Sequence, residues 1–257
     1  MGGLAIARLS VLETMRRKEF YVILALIIGL AAWMQFMNIS SSGAGRFAKD
    51  IVMQAVWLVS FGLAAPLAAR QIASDLEQKT IYVLMSRPIH RWHYVLGRTA
   101  GAAAASVVCF ASLFFVLLLM LLMKGVHGLT DPGLWQAFAF QVAALVMFCA
   151  ITIFFSTCGT PSGAVTFSLL LLITMRYGGP SILSRIETMA NHGFLRETAW
   201  LLYLAMPHFE FLNMSQRVVH GWGPLPVGLF VQILAYGAAY SIFVTALAAL
   251  LFRRRWL

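Results

Sequence analysis

The sequence predicts an all-α membrane protein with six transmembrane helices, and three observations predict it. Six long apolar stretches fill most of the 257 residues. Only 11% of residues are charged, against about 25% in a soluble domain, and nearly all of them lie between the apolar stretches. No Asp, Glu, Lys or Arg occurs in the 44 residues between Asp131 and Arg176. A span needs about 20 apolar residues, and one charge at the bilayer centre costs about 2.5–3.5 kcal/mol. That run therefore holds two spans joined by a turn at Thr157–Gly163.

Taken in order, the spans are Phe20–Met37, Ile51–Ala69, Thr99–Met123, Leu134–Ser156, Gly159–Met175 and Pro226–Phe252. Pro66 is expected to kink the second span near its end. Lipid offers no hydrogen bonds to the backbone, so apolar spans of this kind are helices. No polar segment is long enough for a separate soluble domain, and the chain reads as one transmembrane domain over residues 1–257. Residues 1–19 mix apolar positions with Arg8, Arg16 and Arg17, as in an amphipathic helix lying along the inner surface. The first span reads as a retained anchor, because no small-x-small cleavage site follows it.

Charge sets the orientation. With the N-terminus inside, 12 of the 19 Lys and Arg lie on the cytoplasmic side. They are Arg8, Arg16, Arg17, Lys18, Arg70, Lys79, Arg87, Arg91, Arg98 and Arg253–Arg255. The opposite side, with the longer loops, keeps Arg46, Lys49, Lys124, Arg176, Arg185, Arg196 and Arg217. The positive-inside rule places both termini in the cytoplasm. A net charge of +10 is explained by these flanks. It does not imply nucleic acid, because no basic patch is large enough to neutralise several phosphates.

Two loops carry more than connection. Residues 70–98, RQIASDLEQKTIYVLMSRPIHRWHYVLGR, interleave apolar and aromatic residues with charge, which a purely solvated loop has no use for. Ser74 and Glu77 fit a capping box that starts a helix at Asp75. Pro88 breaks the segment, and a second helix runs from there into the third span. The outer loop, residues 176–225, has Ile182, Leu183 and Ile186 at helical spacing, as in an interfacial helix. Its apolar stretch Leu195–Met206 is too short to cross and reads as a re-entrant or interfacial helix.

Other function classes lose support from what is missing. The chain has no GxxxxGK[ST] phosphate loop, no HExxH and no GxSxG, so no catalytic residues and no bound cofactor are assigned to it. Cys109, Cys149 and Cys158 show no CxxC spacing, and neither a disulfide framework nor a metal site is expected. The spans hold no ionisable group of the kind that ion-coupled carriers place at membrane depth. Gln35, Gln54, Gln141 and Gln232 read as interhelical hydrogen bonders. Such a bundle, with a structured cytoplasmic loop and no energy source of its own, points to a separate motor protein.

At that loop the chain resembles the ABC-2-type transporter permeases. The matching positions are Asp75, Glu77, Thr80, Leu84, Ser86, Pro88, Ile89, Arg91, Trp92, Tyr94, Gly97 and Arg98. Thr80-Ile81-Tyr82 with Ser86-Arg87-Pro88 is similar to the multicopper-enzyme maturation branch, which includes the nitrous-oxide-reductase maturation permeases. Met206–Asn213 resembles the segment before the last span in that branch. Lys79 departs from the Gly found there in many relatives.

The resemblance implies a type V exporter-like fold with a cytoplasmic coupling helix and outer helices before the last span. It implies a homodimeric or pseudo-dimeric membrane core of two six-span subunits, with two ATPase subunits that hold ATP and Mg. A periplasmic accessory protein and a bacterial inner-membrane location also belong to it. Glu77, Arg87, Pro88, Arg91 and Trp92 are then the ATPase contact. Gln54, Trp57 and Phe61 of the second span, with Thr166 and Leu170 of the fifth, are expected near a central cleft lined by uncharged residues. The function so implied is export, or a conformational change passed to periplasmic components, coupled to ATP hydrolysis by the partner. The alternatives are a membrane scaffold that moves nothing and a secondary carrier.

Overall fold

The computed structural model describes residues 29, 42–77, 91–123, 132–188 and 193–254. Among them the regular structure is entirely helical. Helix α1 spans Ser42–Glu77, α2 Arg91–Met123, α3 Pro132–Cys158 and α4 Pro161–Thr188. The short helices α5, Gly193–Ala205, and α6, Ser215–His220, precede α7, Val227–Arg254. The predicted first span, apart from Gly29, and the inner amphipathic segment lie outside the described residues.

Among the described residues, four helices are long and apolar enough to cross a membrane. The qualifying segments are Met53–Ile72 in α1, Trp92–Val116 in α2, Pro132–Cys158 in α3 and Val227–Phe252 in α7. They coincide with the predicted second, third, fourth and sixth spans to within several residues. The predicted fifth span lies in α4, whose 28 residues exceed a span. Ser, Thr and Arg176 dilute its apolar run, and it is not one of the four.

Helix α3 is the hub. It packs against α1, α2, α4, α6 and α7. Its buried residues include Phe140, Ala144, Leu145, Met147, Phe148, Cys149, Ile151 and Thr152, which fall on every side of the helix. A helix apolar all round belongs in the middle of a bundle, and α3 is the run without charge. Phe148 meets Phe61 of α1 at 5.1 Å between ring centroids and Phe209 at 6.4 Å. Several polar side chains inside the bundle are hydrogen-bonded, as expected in an apolar medium. Gln141 of α3 donates to Ser60 Oγ of α1 at 2.9 Å, and Ser60 donates to the Trp57 carbonyl. Ser106 lies 3.4 Å from the Cys149 sulfur.

Two ends can be distinguished. At the loop end, Arg98 donates to Gln71 Oε1 at 2.9 Å, joining α2 to α1. Ser156 of α3 donates to the Ala69 carbonyl, and Tyr94 stacks on Phe252 of α7 at 5.5 Å. Helices α3 and α4 are joined there by Gly159 and Thr160 alone, within the predicted turn. At the cap end, Phe114, Trp135 and Phe138 cluster. Gln136 clamps the chain entering α7: its Nε2 donates to the Leu225 carbonyl, and the Leu225 N–H donates to its Oε1 at 2.8 Å.

Several boundaries differ from the sequence reading. No new helix starts at Asp75, because α1 continues unbroken to Glu77. Gln71 and Ile72 are buried against the bundle, and this packing carries the helix past the capping-box signal. Pro66, where a kink and not an end is expected, lies inside α1, flanked by the fully buried Ala64, Ala65, Ala68 and Ala69. The helix expected to run from Pro88 into the third span appears as α2 from Arg91 on, with Arg98 buried in it. The amphipathic stretch at Ile182 and Ile186 is the continuation of α4 to Thr188. Helix α5 has 13 residues, or about 20 Å at 1.5 Å per residue, too short to cross, as expected.

Candidate functional site

Asp50, Gln54, Trp57 and Phe61 recur every three or four residues along α1, and that spacing places them on one face. Arg176 of α4 lies against this face. Its guanidinium carbon is 3.7 Å from the centre of the Trp57 ring, within the range of a cation–π contact. Its Nη2 donates to Gln54 Oε1 at 2.9 Å. Gln54 in turn reaches Ser215 Oγ of α6 at 3.5 Å. One chain of polar groups thus ties α4, α1 and α6 together at the cap end.

This arrangement corrects two expectations. Arg176 does not open a solvated outer loop, since α4 carries on through it and the residue is only 7% exposed. The surroundings of Gln54 and Trp57 are also not free of charge. Nε and Nη1 of Arg176 are buried and make no hydrogen bond, and no ion pair to Arg176 occurs among the described residues. An unsatisfied buried donor costs about 1–3 kcal/mol, and more when charged. Sequence reasoning missed this because Arg176 closes the charge-free run, where an Arg ordinarily marks the membrane surface.

The other expected cleft residues are dispersed. Phe61 is 1% exposed and lies in the core between Phe148 and Phe209. Thr166 and Leu170 lie on the outer flank of α4, with Leu170 61% exposed. Trp57 also borders a small cavity of about 40 Å³, with Phe110, Phe114, Gln141, Met214 and Ser215.

A second cluster, not foreseen, closes the cap end. The Tyr236 hydroxyl of α7 accepts from the His208 backbone N–H at 3.0 Å and lies 3.2 Å from His208 Nδ1. Tyr203 of α5 donates to Glu210 Oε1 at 3.1 Å, and the Tyr203 and His208 rings meet edge to face at 4.5 Å. The Glu210 carboxylate lies against Gly179 of α4, where a Cβ would come within 2.8 Å of Oε2. Gly179 is what lets the carboxylate approach. Gly221 ends α6 at φ 65°, in the left-handed region that glycine adopts freely. Burial raises the Tyr203 phenol to about 12, reinforced by its bond to Glu210, so it stays a donor at any ordinary pH.

Burial pushes the His208 imidazole below its ordinary value, partly offset by the Glu210 carboxylate. The unfolded loop therefore binds a proton more readily than the packed one. The stability that neutral His208 contributes is present above about pH 6.5 and is lost as pH falls below that, through the lowered value. Amide hydrogen exchange over residues 206–214, corrected for intrinsic rates, should be faster at about pH 5 than at about pH 7.5. His208→Gln should remove the difference, and an equal difference in that variant would show that His208 is not its source.

Of the expected ATPase contact, Arg87 and Pro88 lie outside the described residues. Glu77 ends α1 and Arg91 begins α2, and the side chains of both lie outside the description. Trp92, in the first turn of α2, is 42% exposed. Among the described residues no group of His, Cys, Asp and Glu could hold a metal ion.

The family model described as ABC-2 family transporter protein matches residues 4–257. No curated protein matches the chain.

Proposed function

The chain belongs to the ABC-2 family of transporter proteins, and on that premise we propose that it is the permease subunit of an ATP-binding cassette complex. A match over nearly the whole chain carries this reading. Permeases of the family are generally membrane subunits that perform no catalysis themselves and work with an ATPase. The four apolar helices fit a multi-pass membrane protein.

In the full reading, segment 20–37 and α4 supply the remaining two of six spans, and two copies of the chain meet two ATPase subunits that bind ATP and Mg. Both termini and the 70–98 loop face the cytoplasm of a bacterial inner membrane, with α5 and α6 outside. Glu77, Arg87, Pro88, Arg91 and Trp92 form the ATPase contact. The likeness of residues 80–92 to the multicopper-enzyme maturation permeases favours that branch. Its work is export, or a conformational change passed to a periplasmic protein.

The direct test is purification of the tagged chain from its native membrane. It should carry along a subunit with a phosphate loop, in equal number of copies, whose ATP hydrolysis changes when the permease is removed. Purification with no ATPase at all would overturn the proposal.

A further inference from the structure

Arg176 brings five N–H donors to a place where only Nη2 is used. A clamp between α1 and α4 needs only the stacking on Trp57, and it gains nothing from the buried, unbonded Nε and Nη1. Guanidinium groups pair best with carboxylate and phosphate oxygens. Asp50, two turns from Trp57 on the same face of α1, and the Tyr177 side chain both act on the guanidinium, yet no ion pair joins Asp50 to it among the described residues. An apolar stripe leads to the site along α4: Phe167, Leu170, Ile173 and Tyr177 stand three or four residues apart and are all exposed. The stripe ends beside the charge, with the Tyr177 ring centre 5.6 Å from the Arg176 guanidinium carbon. A cation at the head of an exposed apolar stripe is complementary to one kind of molecule.

We propose that Arg176 and the α4 stripe form a binding site for an anionic amphiphile. Its phosphate or carboxylate head takes the free guanidinium nitrogens over Trp57, and its tail lies along Leu170 and Phe167. Nε and Nη1 are enclosed, so entry requires the packing around them to open. That the amphiphile is cargo rests on the permease reading; that it binds does not.

The test uses the complex of this chain with its ATPase in phosphatidylcholine nanodiscs. Dodecyl phosphate, below its micellar concentration, is titrated while Trp57 emission is followed as the difference from Trp57→Phe. A saturable change is expected, with binding at least tenfold weaker in Arg176→Gln and no comparable response to uncharged dodecyl maltoside. Leu170→Glu, an exposed change that places a negative charge on the stripe, should weaken binding similarly and serves if the Arg176 variant does not fold. Nanodiscs containing phosphatidylglycerol separate the sources: prior saturation assigns the site to a bilayer lipid, and an undiminished titration assigns it to a free amphiphile. Equal binding in both variants, or an equal response to the maltoside, overturns the site. ATP hydrolysis in the same samples keeps the readings apart. Binding without any change in hydrolysis leaves the site standing and counts against cargo. Stimulation that ignores Arg176 and Leu170 removes the site and keeps the permease.

Discussion

Replacing Arg91 and Trp92 together with Ala is expected to strip the ATPase from the permease while the permease stays inserted in the membrane. Arg and Trp are the residue types that most often carry interface energy, and truncating such an anchor costs about 2–4 kcal/mol. That corresponds to a weakening of roughly 30-fold or more. Trp92 leaves 42% of its surface uncovered at the start of α2, beside Tyr94, which is stacked on Phe252. Tyr94 thus fixes the helix start while Trp92 stays free to dock. The measurement is ATPase recovered with the tagged chain, set against the amount of chain in the membrane. Undiminished recovery, with hydrolysis still responsive to the permease, would remove these residues from the contact.

Phe148→Ala should be the most damaging single change in the bundle. Phe148 is fully buried and meets α1 and the segment before α6 at once. In a soluble core such a change costs about 3–5 kcal/mol, of which part is transfer from water. A helix that unfolds within lipid keeps its side chains in an apolar medium, so chiefly the packing loss remains. Removing roughly 100 Å³ at about 24 cal/mol per Å³ leaves about 2 kcal/mol. Unfolding by sodium dodecyl sulfate in mixed micelles measures it, with exposed Leu170→Ala as the reference. A Phe148 loss no larger than that of Leu170 would contradict the hub role of α3.

The helices were legible in the sequence because lipid imposes one rule on every residue of a span. Hydropathy located α2, α3 and α7, and the Gly159-Thr160 turn fell where charge and apolarity required it. What escaped was set by tertiary packing. Ser74 and Glu77 carry a capping signal, yet α1 overrides it because Ile72 and Gln71 find partners in the bundle. Arg176 looked like a surface marker, and only the approach of α4 to Trp57 makes it a buried charge. His208, Glu210 and Tyr203 lie within ten residues, but their partners Tyr236 and Gly179 come from α7 and α4. Nothing local in the chain announces such pairings. The Glu77–Trp92 segment was legible through its resemblance to a family, and its geometry falls largely outside the described residues.

The turn between α3 and α4 has a mechanical consequence. Only Gly159 and Thr160 separate the two helices, so their loop ends cannot part, and any relative motion becomes rotation about that point. Arg176 sits 15 residues beyond Pro161, or about 22 Å along the arm at 1.5 Å per residue. A swing of about 10° would therefore carry its Cα about 4 Å sideways on that geometry, more than the 2.9 Å bond to Gln54 spans. Leverage of this kind turns a slight tilt into a complete change of hydrogen-bond partners at the far end, while the pivot barely moves.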